Sequence, residues 1–318
     1  MHDAPRHRHM HRRTAALLIV AAIVVLLLFG RSFSRPRSGV PSPAGRLSVV
    51  ASFYPLYFLA QQIGGDKASV ANVTPAGAEP HDYEPTARDI AGIENSGLLI
   101  IDGRGLEAWG DRVRKNLDPA KTVVVVAGEG LMTRQVEEEG KTIVDPHVWL
   151  SPPLVEQMAD RIAAGFAQAD APNAAYYREN ADALKAKLET LDAEYRRGLA
   201  DCARKDFITS HSAFGYLAAS YGLTQVAITG VSPDAEPSSK ALAEIAKFAK
   251  DNGVKYVFFE SLVSPKLSDT IAKEIGATTL VLDPIEGIIP DELAAGRDYL
   301  SVMRDNLANL QIALQCRT

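Results

Sequence analysis

Eight short apolar runs, separated by longer amphipathic or polar stretches, organise the chain after residue 45. Four lie in the first half, at Leu47–Ala51, Ser69–Thr74, Leu98–Asp102 and Val123–Ala127. Four lie in the second, at Phe207–Ser210, Gln225–Ile228, Tyr256–Glu260 and Thr279–Asp283. Short runs of this kind, rich in β-branched residues, predict strands buried on both faces. The stretches Tyr57–Ile63, Pro153–Ala167 and Ser239–Asp251 carry helical spacing between them. Strands alternating with helices predict an α/β fold built from parallel sheets.

The segment between the halves has a different pattern. From Pro172 to Cys202 no glycine occurs before Gly198, and Ala, Lys, Glu and Leu dominate. Leu184, Leu188, Leu191 and Tyr195 keep one apolar stripe at helical spacing. Pro172 sits where a first helical turn tolerates it. One helix of about 30 residues, roughly 45 Å long, is expected. Such a helix is a stiff connector between two lobes. The expected organisation is a leader and tether at 1–45, an N-terminal lobe at 46–170, a linking helix at 171–203 and a C-terminal lobe at 204–318. The lobes share a faint likeness: Ser52–Gly64 and Ser210–Gly222 align without gaps, with Ser, Leu-Ala and the closing Gly in common.

Charge and composition narrow the partners. Arg6, Arg8, Arg12 and Arg13 precede an uncharged run from Thr14 to Phe29, the pattern of a secretory signal or an uncleaved membrane anchor. His2, His7, His9 and His11 belong to this basic region, where solvated side chains are the rule. Residues 36–46, rich in Pro, Ser and Gly, form a tether. The first 45 residues hold seven Arg and one Asp, which leaves 27 basic and 38 acidic residues and a net charge of −11 for the rest. That balance disfavours nucleic acid and anionic lipid as partners. Cys202 and Cys316 are the only cysteines, and pairing suits an exported chain. With no cysteine before Cys202, lipid attachment at a leader cysteine is not expected.

Only three histidines remain beyond the leader, His81, His147 and His211, each beside an expected strand end. Ligands in open α/β sheets bind beyond the carboxyl ends of strands. Asp283 ends the last expected strand, so three imidazoles and one carboxylate from two lobes would meet in one cleft. Four N/O ligands in that proportion suit zinc, and a shell closed by protein ligands suits holding a metal rather than reacting it. The bland readings are surface or capping histidines and, for Asp283 before Pro284, a turn residue. Glu260 and Glu79 are candidates to support the imidazoles from behind, since metal-bound rings usually donate their second nitrogen to a carboxylate or carbonyl. Trp149 reads as core.

PHDYEPTARDI around His81, DPHVWLSP around His147, TSHSAFGYLAASYGL around His211 and LDPIEG around Asp283 carry a further signal. Together they resemble the zinc/manganese solute-binding proteins of bacterial ABC importers, from about Leu47 to the C-terminus. The resemblance implies two α/β lobes joined by one long helix, with metal between them. His81 and His147 would be first-lobe ligands, His211 and Asp283 second-lobe ligands. It also implies a non-enzymatic monomer that captures Zn2+ and delivers it to a membrane permease driven by an ATPase. Three histidines favour zinc; Mn2+ is the alternative cargo, and an adhesin-type member of the family an alternative role. Many zinc members carry a His- and Asp-rich loop before the second histidine motif. Here Gly128–Thr142 has no histidine, and Glu137-Glu138-Glu139 reads as a solvated loop. A rival from another class, an exported zinc hydrolase with Glu260 or Glu79 as base, lacks any HExxH or GxSxG motif. The expected location is the periplasm or the outer face of the cytoplasmic membrane, without a lipid anchor.

Overall fold

The computed structural model describes residues 45–138 and 140–317, so the expected leader and nearly all of the tether lie outside the described residues. All eight apolar runs are strands, displaced by at most two residues from the expected bounds. β1 (Leu47–Ala51), β2 (Ala68–Asn72), β3 (Leu98–Ile101) and β4 (Val123–Val126) form one parallel sheet in the order β2-β1-β3-β4. An antiparallel hairpin of β5 (Gln135–Glu138) and β6 (Lys141–Val144) follows. β7 (Asp206–Thr209), β8 (Thr224–Ala227), β9 (Tyr256–Phe259) and β10 (Thr278–Val281) form the second parallel sheet, in the order β8-β7-β9-β10. The two sheets therefore repeat one winding, which gives the faint likeness of Ser52–Gly64 and Ser210–Gly222 a structural counterpart. Each of those segments leaves the inner strand at which its sheet changes direction.

The helices are α1 (Tyr54–Gly64), α2 (Ala87–Glu94), α3 (Gly110–Arg114), α4 (Pro152–Ala169) and α5 (Ala174–Gly198), then α6 (Gly215–Ser220), α7 (Ser239–Asp251), α8 (Lys266–Ile275), α9 (Pro290–Ala294) and α10 (Tyr299–Leu314). α5 is the long connector, entered through a 3-10 turn at Ala171–Asn173. It ends at Gly198, short of the expected Cys202, at the glycine that interrupts its helix-favouring composition. Its 25 residues span about 37 Å at 1.5 Å per residue. Tyr177, Ala181, Leu184, Leu188, Leu191 and Tyr195 form its buried stripe. That stripe packs on α1 and α4 of the first lobe and on α10 of the second. One continuous core consequently runs from Val49 in β1 through α5 to Leu314 in α10. Tyr195 seals it with a hydrogen bond from its hydroxyl to Met303 O at 2.7 Å.

The acidic triplet expected to be a solvated loop, Glu137-Glu138-Glu139, instead begins in a strand: Glu137 and Glu138 end β5 of the hairpin. The hairpin's two strands are four residues each, exposed or at most half-buried, and carry no long apolar run, so hydrophobic patterning alone does not reveal them. Glu138 accepts a hydrogen bond from Val231 N of the second lobe at 3.1 Å, while Glu139 lies outside the described residues. Among the described residues no helix is long and apolar enough to cross a membrane.

Cys202 and Cys316 form a disulfide that ties the turn after α5 to the end of α10, across 114 residues of sequence. Closing so long a loop restricts the unfolded chain, so Cys316→Ser should cost about 2–5 kcal/mol of stability. Denaturant unfolding of oxidised, reduced and substituted protein measures this, and equal midpoints for all three would refute it.

Candidate metal centre

Two carboxylates fix the orientation of two imidazoles. His147 lies between β6 and a 3-10 turn at Val148–Leu150. Asp145, two residues earlier, accepts from both His147 N (3.0 Å) and His147 Nδ1 (2.9 Å) through Oδ1. His211 lies two residues beyond β7. Glu260, directly after β9, accepts from His211 Nδ1 at 2.7 Å and from His211 N at 3.2 Å, and also from Ser210 Oγ. Both histidines are fully buried. Each carboxylate accepts from Nδ1, so Nδ1 is the donor in each ring and Nε2 faces inward, with a free lone pair whenever the ring is neutral.

The inward atoms meet. His147 Nε2 stands 3.2 Å from His211 Nε2 and 3.2 Å from His81 Nε2. The fourth member is Glu286, whose Oε1 lies 3.2 Å from His81 Nε2, 3.3 Å from His147 Nε2 and 3.4 Å from His211 Nε2. These four side chains are the one group of metal-ligating type that converges among the described residues. Four N/O ligands about 2.0–2.1 Å from a tetrahedral zinc stand about 3.3–3.4 Å apart. The spacing in this centre matches that geometry.

The carboxylate differs from the one the sequence suggested. Asp283 is not in the converging group: its carboxylate accepts from Ser261 Oγ and from Ile285 N at 2.7 Å. Asn306 clamps its backbone, donating from Nδ2 to Asp283 O at 2.7 Å and accepting from Asp283 N at 2.8 Å. Asp283 thus caps a turn in which Ile285 adopts a left-handed φ of 58°, and the turn delivers Glu286 to the histidines. A buried non-glycine residue held there marks a loop fixed by its surroundings. Trp149, buried as expected, donates from Nε1 to Pro284 O at 2.8 Å and ties the Glu286 turn to the His147 segment. Tyr299 adds a hydrogen bond from its hydroxyl to Trp149 O at 2.7 Å.

His81 is held differently. It lies in the long loop after β2, well beyond the strand end, and its backbone N donates to Glu79 Oε1 at 3.0 Å. Glu79 therefore supports the loop and not the ring, whereas Glu260 takes the expected place behind His211. Sequence reasoning missed Asp145 and Glu286. Their signals were local: an acid two residues before His147 and an acid three residues after Asp283.

Burial works against a charged His147 or His211, yet neighbouring carboxylates outweigh it. Asp145 and Glu286 raise the pKa of His147, and the charges of Glu260 and Glu286 raise that of His211 well above the usual 6.5. For His81 burial prevails and the pKa is lowered. Burial also opposes ionisation of Glu286, but His211 and the imidazole hydrogen bonds hold it well below the usual carboxylate range. Burial and the charge of Glu286 push Glu79 up to about 9, so it carries a proton near neutrality. Burial raises Asp283 to about 6 against the opposing bonds from Ser261 and Ile285.

Residues 49–313 match the family described as zinc-uptake complex component A periplasmic. The chain belongs to that family. The high-affinity zinc uptake system protein ZnuA of Bacillus subtilis is 39% identical over 292 residues, covering 88% of this chain and 92% of that protein. The zinc-binding lipoprotein AdcA of Streptococcus pneumoniae is 39% identical over 282 residues; the match covers 84% of this chain and 56% of that longer protein. Among solved structures, the Zn(II)-bound ZnuA-like domain of Streptococcus pneumoniae AdcA superposes with a TM-score of 0.75 at 38% identity, covering 85% of this chain and 99% of the domain. The laminin-binding protein Lmb of Streptococcus agalactiae gives 0.76 at 36% identity, covering 85% and 99%. The lipoprotein relative corrects one expectation. A location without a lipid anchor is not upheld, because a relative this similar is itself named a lipoprotein.

Three substitutions separate the carboxylates by role. Glu286→Gln should weaken zinc binding by more than about 100-fold, Glu260→Gln by about 10–100-fold, and Asp283→Asn by less than about 10-fold. Competition with a chromophoric chelator provides the ranking, and an Asp283→Asn loss as large as that of Glu286→Gln would overturn it.

Proposed function

We propose that this chain is the solute-binding component of an ABC zinc importer, capturing one Zn2+ between its lobes through His81, His147, His211 and Glu286 and handing it to the permease and its ATPase. The observation that carries the reading is the pair of Nε2 lone pairs held 3.2 Å apart by carboxylates behind them. When both rings are neutral these lone pairs repel unless a metal ion stands between them. When one ring is protonated its Nε2–H takes that place, so proton and metal compete for one position. Three imidazoles favour zinc over manganese, which prefers oxygen ligands. The zinc relatives named above support the same cargo. Four protein ligands leave no open position for a reacting water, which favours a non-enzymatic carrier over a hydrolase.

A second reading, a cell-adhesion role beside metal transport, is supported by the likeness to Lmb, described as a bifunctional protein with adhesin and metal transporting activity. Surface-immobilised laminin tests it, and no binding at micromolar protein would remove it.

Capture requires neutral imidazoles, so protons compete with zinc. Because the pKa values of His147 and His211 are raised, this competition begins above the usual 6.5 and strengthens as pH falls. Zinc titrations of the demetallated chain should give one equivalent bound and an affinity that declines progressively from about pH 8 to about pH 5. A flat affinity across that range would exclude imidazole ligation. Preference for manganese at equal free concentrations would overturn the cargo.

A further inference from the structure

We propose that Arg134 is a positioning residue for zinc capture, acting on His147 through Asp145 from a seat that the second lobe supplies. The inference rests on the zinc-capture reading. Asp145 is fully buried, and His147 uses its Oδ1 twice. Its other oxygen, Oδ2, has no hydrogen-bond partner. Against that oxygen the structure sets Arg134, with Nε at 3.6 Å. A buried carboxylate oxygen without compensation is costly, and a facing guanidinium supplies the missing charge. It also fixes the rotation of the carboxylate, and with it the plane of the His147 ring.

The second lobe holds this arrangement at α6. Tyr216 Oη accepts from Arg134 N at 3.0 Å and donates to Asp145 O at 3.0 Å, and the guanidinium lies over the Tyr216 ring, 5.8 Å from its centre. Asp145 N donates to Arg134 O at 3.1 Å, closing the base of the hairpin. Gly215 completes the seat. A Cβ at Gly215 would fall 2.6 Å from Arg134 Nε and 2.8 Å from Asp145 Oδ2, so a side chain there would press on both partners. The Arg134–Asp145 pair that aligns this first-lobe ligand is thereby seated by Tyr216 and Gly215 of α6.

The experiment titrates zinc into the full chain and into Arg134→Gln, Arg134→Lys, Gly215→Ala and the Arg134→Gln/Gly215→Ala double variant, with thermal melting of each metal-free protein. Arg134→Gln should weaken zinc binding about 10-fold, at the lower end for a partner behind a metal ligand. Arg134→Lys should recover most of the loss, which a merely structural role for the arginine would not produce. Gly215→Ala should weaken binding to a similar extent, and the double variant should lose little more, as expected when both act through one contact. Wild-type affinity in Arg134→Gln would overturn the proposal. So would equal losses in the Gln and Lys variants, or strictly additive losses in the double variant. Failure of the unsubstituted chain to bind zinc would instead remove the capture reading on which the proposal rests.

Discussion

The centre depends on a repulsion that the fold sustains. Two imidazole nitrogens with inward lone pairs stand 3.2 Å apart, and each ring is kept in place by a carboxylate on its far side. Without Asp145 and Glu260 either ring could turn or change tautomer. With them, the inward nitrogens are satisfied by a metal ion or, in its place, by a proton between them. The same carboxylates raise the proton affinity of the rings, so what prepares the site for metal also strengthens the competing proton. Glu286, held ionised, adds negative charge where the imidazoles converge.

Holding such groups at fixed separation demands a frame that does not relax, and the core provides one. The lobes are not two separately packed bodies about a hinge: one continuous cluster runs through β1, α1, α4, α5 and α10. Packed interiors deform little, because small displacements forfeit many contacts at once. Trp149 carries this rigidity to the centre, edge-on to Phe53 at 4.7 Å between ring centroids and hydrogen-bonded to Pro284 beside the Glu286 turn. The repeated winding of the two sheets shows how one lobe specialised. Ser52 and Ser210 occupy matching places after β1 and β7, and each donates its hydroxyl to a glutamate, the half-buried Glu107 in one lobe and the buried Glu260 in the other. The next residue is Phe53 in the first lobe, which enters the core, and His211 in the second, which enters the centre.

Much of this was legible in the sequence because buried parallel strands must be apolar on both faces. The long helix was equally plain from its stripe and its lack of glycine. The hairpin was not, since its two four-residue strands are nowhere fully buried and carry no long apolar run. The three histidines could be found because beyond the leader there were no others to choose from. The carboxylate was harder. Asp283 and Glu286 are three residues apart in one motif, and only the left-handed backbone at Ile285 decides which of them faces the imidazoles. A β-branched residue gives no hint of such a conformation, whereas a glycine would have. Asp145 was hidden for a similar reason: its role depends on a turn that brings its side chain back onto His147, which spacing alone does not reveal.

The support of the three imidazoles is unequal, and the inequality follows the chain. His147 and His211 emerge close to strands, where sheet hydrogen bonds fix the backbone and a buried carboxylate fixes the ring. His81 hangs from a loop whose backbone is tied by turns at Pro75–Ala78 and Pro80–Tyr83 and by the Glu79 side chain. Among the described residues its ring meets partners at Nε2, and these are the other members of the centre. Burial also lowers its pKa, so it is the imidazole most readily neutral and least committed to a proton. Two rings are thus backed by buried carboxylates, while the third is placed by its loop.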